Sequence, residues 1–311
     1  MSRNSTSQAR VINPVLTRAA RGFEPTGLAW RSLLPPVPVT ERGGTRIEFD
    51  ASSFVARETL RAPGSKAARG EFGYAGQPYA LQPHSFDGQL PIENDEEAMR
   101  VPGINMQTIT VQNTRQILEL GYEREAAALC TNASNYGGNT LALTSGNRWD
   151  EANGTPGPDV AAANEAIRQA TGGKEGNTLV LGGKVFNQCR WGDHIAERTK
   201  YVQRGAPSLD DLRSYFNVQN IVVARSAEAA DEAATGGFTD LWDNVAILAY
   251  VAQGTIARPL PSFGYTYEIP MIARSPYYED DVRSWLFPMD WHRSAEIVGP
   301  GAGFLLTNVV T

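Results

Sequence analysis

Residues 45–81 read as one long antiparallel ribbon, and that ribbon limits what the rest of the chain can be. Thr45–Phe49 alternates apolar and polar side chains, as does the stretch from Phe54, and the return run Glu71-Phe72-Gly73-Tyr74 leads to Tyr79 and Leu81. Pro63-Gly64 supplies the turn. The tip is basic, with Arg57, Arg61, Lys66 and Arg69 set against Glu58. A lone two-stranded ribbon of this length is marginal in water. It needs a surface to lie on, from its own chain or from a neighbour.

The segment before it, residues 1–46, reads as an arm. Asn13-Pro14, Pro25, Pro35-Pro36-Val37-Pro38 and Gly43-Gly44 fix or punctuate an extended backbone. Val15, Leu16, Phe23, Leu28, Trp30, Leu33 and Leu34 are too apolar for a solvated tail, so the arm is expected to lie against something. Charge sharpens the point. The arm holds seven arginines and two glutamates, a balance of +5, which leaves −11 for the remainder of a 311-residue chain with net charge −6. An acidic body argues against general nucleic-acid binding, which needs basic surface to displace counterions. A basic arm and ribbon tip on such a body suggest pairing with another protein surface. One dense acidic cluster is Glu93, Asp95, Glu96 and Glu97.

The longest helical stretch runs from Met106 to Thr131 without proline. Ile109, Ile117, Leu120, Ala127 and Leu129 are expected to form its buried stripe, with Arg115 and Glu119 an i, i+4 pair outside. Gly121 interrupts it at about 1 kcal/mol against alanine, and close packing of a neighbour is the expected reason. Residues 132–157 are loop-rich. An α/β texture follows: a helix over Val160–Ala170, a strand Thr178–Leu181, a Ser208…Asp211 capping box opening a helix through Phe216, and strands Ile221–Ala224 and Val245–Val251. From Pro261 the pattern is β-rich, with Phe263–Ile269, a short strand Ser284–Phe287 and Gly303–Val310. The fold class is α+β with one α/β section.

No constellation of residues announces a reaction. Cys130 and Cys189 are the only cysteines, which excludes a disulfide scaffold or a cysteine-rich zinc site. Cys189, Asp193 and His194 are neighbours in sequence, but no second histidine stands at i+4 and no HExxH or paired CxxC exists. An enzyme centred on Cys189 and His194 is the alternative from a different class, and the ordinary reading is a partly exposed histidine. Gly299-Pro300-Gly301-Ala302-Gly303 lacks the GK[ST] of a phosphate loop and is expected to be a turn before the last strand. Trp285, Phe287 and Trp291 are flanked by only Arg283 and Arg293, too few cations for a base-stacking groove, so they are assigned to the core. No catalytic, cofactor or metal residue is nominated. No apolar run reaches the ~20 residues of a membrane helix, and the N-terminal MSRNSTSQAR carries no apolar signal core.

The order of these parts resembles the major capsid proteins of tailed bacteriophages, whose fold is named after phage HK97. The stretches that carry the resemblance are Arg42-Gly43-Gly44 before Ile47-Glu48-Phe49, Phe72-Gly73-Tyr74, Arg100-Val101-Pro102-Gly103, Asn177 to Gly182, Lys200 to Gly205, and Pro261 to Tyr267. The resemblance implies an N-arm (1–46), an extended E-loop hairpin (47–96), a P-domain with a long spine helix (97–157) and closing strands (255–311), and an A-domain (158–254). It further implies a virion shell of hexamers and pentamers of this one chain around double-stranded DNA held without tight binding. A portal, decoration proteins and assembly in the host cytoplasm come with it. The same fold in a gene-transfer particle or an encapsulin-like nanocompartment is the near alternative. Only 46 residues precede the hairpin, so a separate scaffolding protein is expected. Lys66 is the sole hairpin lysine and the one candidate for a covalent cross-link. Shells of this family change shape, so Gly121 is also a candidate point at which the spine helix bends.

Overall fold

The computed structural model describes residues 27–48, 60, 66, 75–99, 105–192, 207–230, 236–252 and 262–311. Two five-stranded sheets and a long helix organise them. The first sheet is built on β13 (Ser284–Ile297). On one edge β13 pairs antiparallel with β11 (Gly264–Ala273) and then β12 (Tyr277–Glu279); on the other it pairs with β4 (Gln82–Pro91), from Ser284↔Pro91 to Arg293↔Gln82. The short strand expected at 284–287 is therefore fourteen residues long and runs through Pro288. In an antiparallel strand the N–H and C=O of one residue face the same side. The Pro288 carbonyl accepts from Arg274 N, just past the end of β11, so its missing donor points into the gap between β11 and β12 and breaks no ladder. Pro270 sits where the β11 register shifts, between Ile269 and Ile272, at the kind of irregularity that admits proline in a sheet.

β1 (Pro36–Pro38) adds to β11 in parallel as an edge strand, with Val37 turned into the core. Just before it Trp30 and Leu33 of the short helix α1 (Trp30–Leu33), and Leu34 after it, are fully buried. The apolar part of the arm from residue 29 onward thus finds its cover on its own chain; Val15, Leu16 and Phe23 lie outside the described residues. The hairpin begins next: β2 (Gly43–Glu48) pairs with β3 (Ala75–Ala80), from Gly43↔Ala80 to Glu48↔Ala75, and with no other described strand.

The acidic cluster expected as a surface patch forms α2 (Ile92–Met99). Glu93, Glu96 and Glu97 are exposed, but Asp95 turns inward and accepts from Gln107 Nε2 at 3.2 Å. The spine helix is α3 (Met106–Cys130), N-capped by Asn105, whose side chain accepts from Thr108 N. Its buried stripe is not the expected one. Val111, Leu118, Tyr122, Ala126, Ala127 and Cys130 face the core, whereas Ile109 and Ile117 are exposed and Leu120 and Leu129 only half-buried. Arg115 and Glu119 lie inside rather than outside, because the pair satisfies its own charge. A β-carbon at Gly121 would meet nothing within 4 Å among the described residues, so no close neighbour demands glycine there. The close approach lies elsewhere: a β-carbon on Gly88 of β4 would sit 2.1 Å from Thr114 Oγ1 of α3.

The second sheet runs β5 (Thr140–Ala142), β14 (Gly303–Thr307), β10 (Val245–Ala249), β6 (Thr178–Gly182) and β7 (Asn220–Ala224). β6 and β10 are buried along their whole length. Helices α4 (Pro156–Ala170), α5 (Gly183–Trp191) and α6 (Leu209–Phe216) pack Val160, Ile167, Val185, Phe186 and Leu212 into its core. The expected capping box at Ser208 and Asp211 is complete. β8 (Ala227–Ala229) and β9 (Phe238–Asp240) form a separate small hairpin. The residues grouped as one closing segment, 255–311, are divided: β11 to β13 belong to the first sheet, while β14 crosses to the second and pairs with β10 and β5.

Candidate assembly site

One buried carboxylate ties the arm, the spine helix and the α/β section together. Glu123, on the inner face of α3, is wholly buried. Its Oε1 accepts from Ala29 N at 2.7 Å, Ser226 Oγ at 3.0 Å and Trp242 Nε1 at 2.5 Å, and its Oε2 accepts from Trp30 N at 3.0 Å. It therefore caps the first turn of α1 in the way an acidic side chain satisfies orphan helix donors. Burial pushes its carboxyl above the usual range, and the four donors pull it back. One turn earlier, Glu119 Oε1 accepts from Arg31 at 3.1 Å and from Arg115 Nη2 at 2.6 Å. Sequence reading assigned Glu123 no role, because its partners are 93 to 119 residues away.

A second cluster holds the spine helix to the first sheet. Arg293 is buried, with its guanidinium carbon 4.4 Å from the Tyr122 ring centroid and 4.5 Å from that of Trp291. It donates to the Leu118 carbonyl at 3.1 Å and to Glu125 at 3.0 Å. Trp30, Tyr122 and Trp291 pack edge-on or tilted at 4.7–6.0 Å. The aromatic residues assigned to the core are in it: Phe287 and Trp291 are buried and Trp285 half-buried.

Of the residues singled out in the hairpin, Arg57, Arg61 and Arg69 lie outside the described residues, and Lys66 is exposed. His194 also lies outside them. Cys189 is packed in the second core, where burial pushes its thiol up to about 12. That is the opposite of an activated thiolate. Among the described residues no group of three His, Cys, Asp or Glu side chains could hold a metal, and no helix is long and apolar enough to cross a membrane.

No family model matches the chain. It is 29% identical over 266 residues to the major capsid protein of Burkholderia phage BcepMu, covering 84% of each. The crystal structure of a phage-related protein from Bordetella bronchiseptica RB50 matches at 31% identity with a TM-score of 0.80, over 97% of this chain and 98% of that one. The capsid of cyanophage P-SCSP1u shares the fold at 12% identity, with a TM-score of 0.54 over 92% and 90% of the two chains. With a hairpin rooted beside a β-sheet, a 25-residue spine helix and an α/β section in this order, the chain has the HK97-like fold of phage capsids and is a capsid shell protein similar to a phage major capsid protein.

Proposed function

We propose that the subunit builds an icosahedral shell of hexamers and pentamers around double-stranded DNA, and that the hairpin is its principal reach between neighbours. The observation that carries this reading is that the β2–β3 ribbon departs from both sheets, covered at its root by the stacking of Tyr79 on Tyr267. Its strands pair only with each other among the described residues, and a ribbon alone is marginal. Its basic tip, Arg57, Arg61, Lys66 and Arg69, docks on acidic surface of an adjacent subunit. The exposed Glu93, Glu96 and Glu97 of α2 are the candidate receiver. Asp95 is excluded from that contact because its carboxylate is turned in to Gln107. Each exposed pair contributes only about 0.2–1 kcal/mol, but the contact recurs at every subunit boundary of a shell.

In this reading the chain is not an enzyme, takes no cofactor, and works with a separate scaffolding protein, a portal and possible decoration proteins. It assembles in the host cytoplasm, and its acidic body confines DNA rather than gripping it. Negative-stain microscopy and sedimentation of the purified chain, with and without scaffold, test the shell. A monomer that never assembles under either condition refutes it. Reversal of Arg61 and Arg69 to glutamate tests the contact: the subunit stays folded and shell yield falls. Unchanged yield at low and high salt refutes docking through the tip.

A further inference from the structure

Two of the chain's three histidines lie near the root of the hairpin, each facing an arginine. The backbone carbonyl of Arg42, the residue before β2, accepts from Leu81 N at 2.7 Å, and Leu81 leads directly into β4. This is the point at which the ribbon leaves the first sheet. The Arg42 side chain reaches back over β13, where its Nη2 lies 3.3 Å from His292 Nε2. A guanidinium can only donate, so Nε2 is the acceptor and the ring is neutral with its proton on Nδ1. On the opposite face of the sheet His84 of β4 stands across from Trp291, and its Nδ1 lies 3.4 Å from Arg293 Nη2. The same rule makes that nitrogen an acceptor. Arg293 pairs through its backbone with Gln82, the first residue of β4. Both contacts flank the two residues that anchor the ribbon.

We propose that His292, assisted by His84, is an acid-sensitive latch that holds the hairpin root while neutral and releases it when protonated.

Protonation turns each acceptor nitrogen into a donor aimed at a guanidinium, so both bonds are lost and cation faces cation. The charges around His292 are Arg42 from the hairpin root, Arg274 from the end of β11, and Asp290 from its own strand. Asp290 could compensate, but it is already held by Arg274 through Nε and Nη2. Around His84 stand Arg293 and His292 on β13 and Glu125 on α3, while Glu268 on β11 lies near Arg293. Glu125 Oε1, 4.0 Å from His84 Nδ1, favours the charged ring but already accepts from Arg293, so His292 is the stronger arm. Burial first, then the arginines, hold both imidazoles below the ordinary histidine value of 6.5. The sign follows. A lowered native pKa means that the released or unfolded chain binds the proton more tightly, so the latch is intact above about pH 6.5 and weakens as pH falls below it.

The latch is a property of the subunit and does not depend on the shell reading. Hydrogen exchange of the full chain at pH 7.5 and pH 5.0, expressed as protection factors so that the intrinsic pH dependence cancels, reads it directly. Protection of residues 75–81, Leu81 above all, falls severalfold in the wild type. Strands β6 and β10 serve as control and keep their protection. In His292→Gln, whose amide oxygen accepts from Arg42 without titrating, the fall is absent; in His84→Gln it is reduced. No fall in the wild type, or an equal fall in His292→Gln, overturns the proposal. Should His292→Gln also lose protection in β6 and β10, NMR titration of the wild-type histidines decides. A His292 midpoint below 6.5 that coincides with the loss of protection at 75–81 supports the latch, and a midpoint elsewhere overturns it.

Discussion

Replacing Glu123 by glutamine probes the joint on which the arm, spine and α/β section depend. Glutamine keeps the volume and one oxygen. Placed where Oε1 now lies, that oxygen still accepts from Ala29 N, Ser226 and Trp242; the amide NH2 then points at Trp30 N, a donor against a donor. One hydrogen bond to a charged acceptor is lost and a buried N–H is left unpaired, which together cost about 2–4 kcal/mol. At about 2–4 °C per kcal/mol for domains of 150–250 residues, the melting temperature should drop by several degrees. Glu123→Ala orphans all four donors and should cost more, about 4–5 kcal/mol, near the ceiling for single substitutions. Thermal and urea unfolding of the purified chain, with near-UV dichroism reporting Trp30 and Trp242, measures both. The pH dependence adds an independent check. Because burial raises the Glu123 carboxyl, the native chain binds that proton more tightly than the unfolded chain does. Its contribution therefore grows as pH falls through the raised value towards the ordinary one, and the gap between wild type and Glu123→Gln should widen over that interval. A glutamine variant that melts within about 1 °C of wild type, with a pH-independent gap, would refute the idea that this carboxylate holds the arm, since even one lost charged bond predicts more.

Thiol titration should find Cys130 and Cys189 unreactive in the native chain at pH 8 and both reactive in denaturant, because burial raises both thiols; rapid native labelling of Cys189 would contradict its packing. Gly121→Ala should stabilise the isolated subunit by up to about 1 kcal/mol, since the new methyl group meets no described atom within 4 Å. If the helix bends there during assembly, the same variant lowers yield or blocks the change of shape; normal assembly and expansion leave Gly121 without that role. Filter binding of the unassembled chain should show no submicromolar affinity for double-stranded DNA at physiological salt, as a net charge of −6 demands, and tight binding would contradict confinement without contact.

Local patterns carried the elements whose partners are near in sequence. The capping box at Ser208 and Asp211 needs only four consecutive residues and is where the pattern puts it. The uninterrupted run from Met106 forms one helix because nothing in it breaks one. The hairpin root follows alternation, and its register places Gly43 and Gly44 opposite Ala80 and Tyr79. Where the reading failed, the cause was a partner far along the chain. Apolar type alone would bury Ile109 and Ile117, yet the inward face of α3 is set by what β4, β13 and α1 present to it. Gly88 admits Thr114 closely, and Arg31 meets Glu119 beside Arg115, so charge goes inside and isoleucine stays out. The strand expected to stop at Phe287 runs on through Pro288, because the gap between β11 and β12 makes the missing donor of that proline harmless.

The same logic separates what holds the subunit from what reaches beyond it. Every buried charge on α3 is answered within the chain: Arg115 by Glu119, Glu119 by Arg31 as well, and Glu123 by four donors. A buried ion pair of this kind adds little net stability over apolar packing, but removing one partner is costly, so these residues fix the arm's position more than they strengthen the fold. On the outside the balance differs. Glu93, Glu96 and Glu97 stand exposed on α2, separated along the chain by one strand, β4, from a ribbon whose tip is basic. Exposed charges cost nothing to leave in water and gain little from a single pair. Selection among neighbours by such charges works only through repetition, and repetition is what a closed shell of identical subunits supplies. The buried set therefore makes one subunit rigid enough to be repeated. The exposed set, weak in any one copy, is the one proposed to act in the assembly.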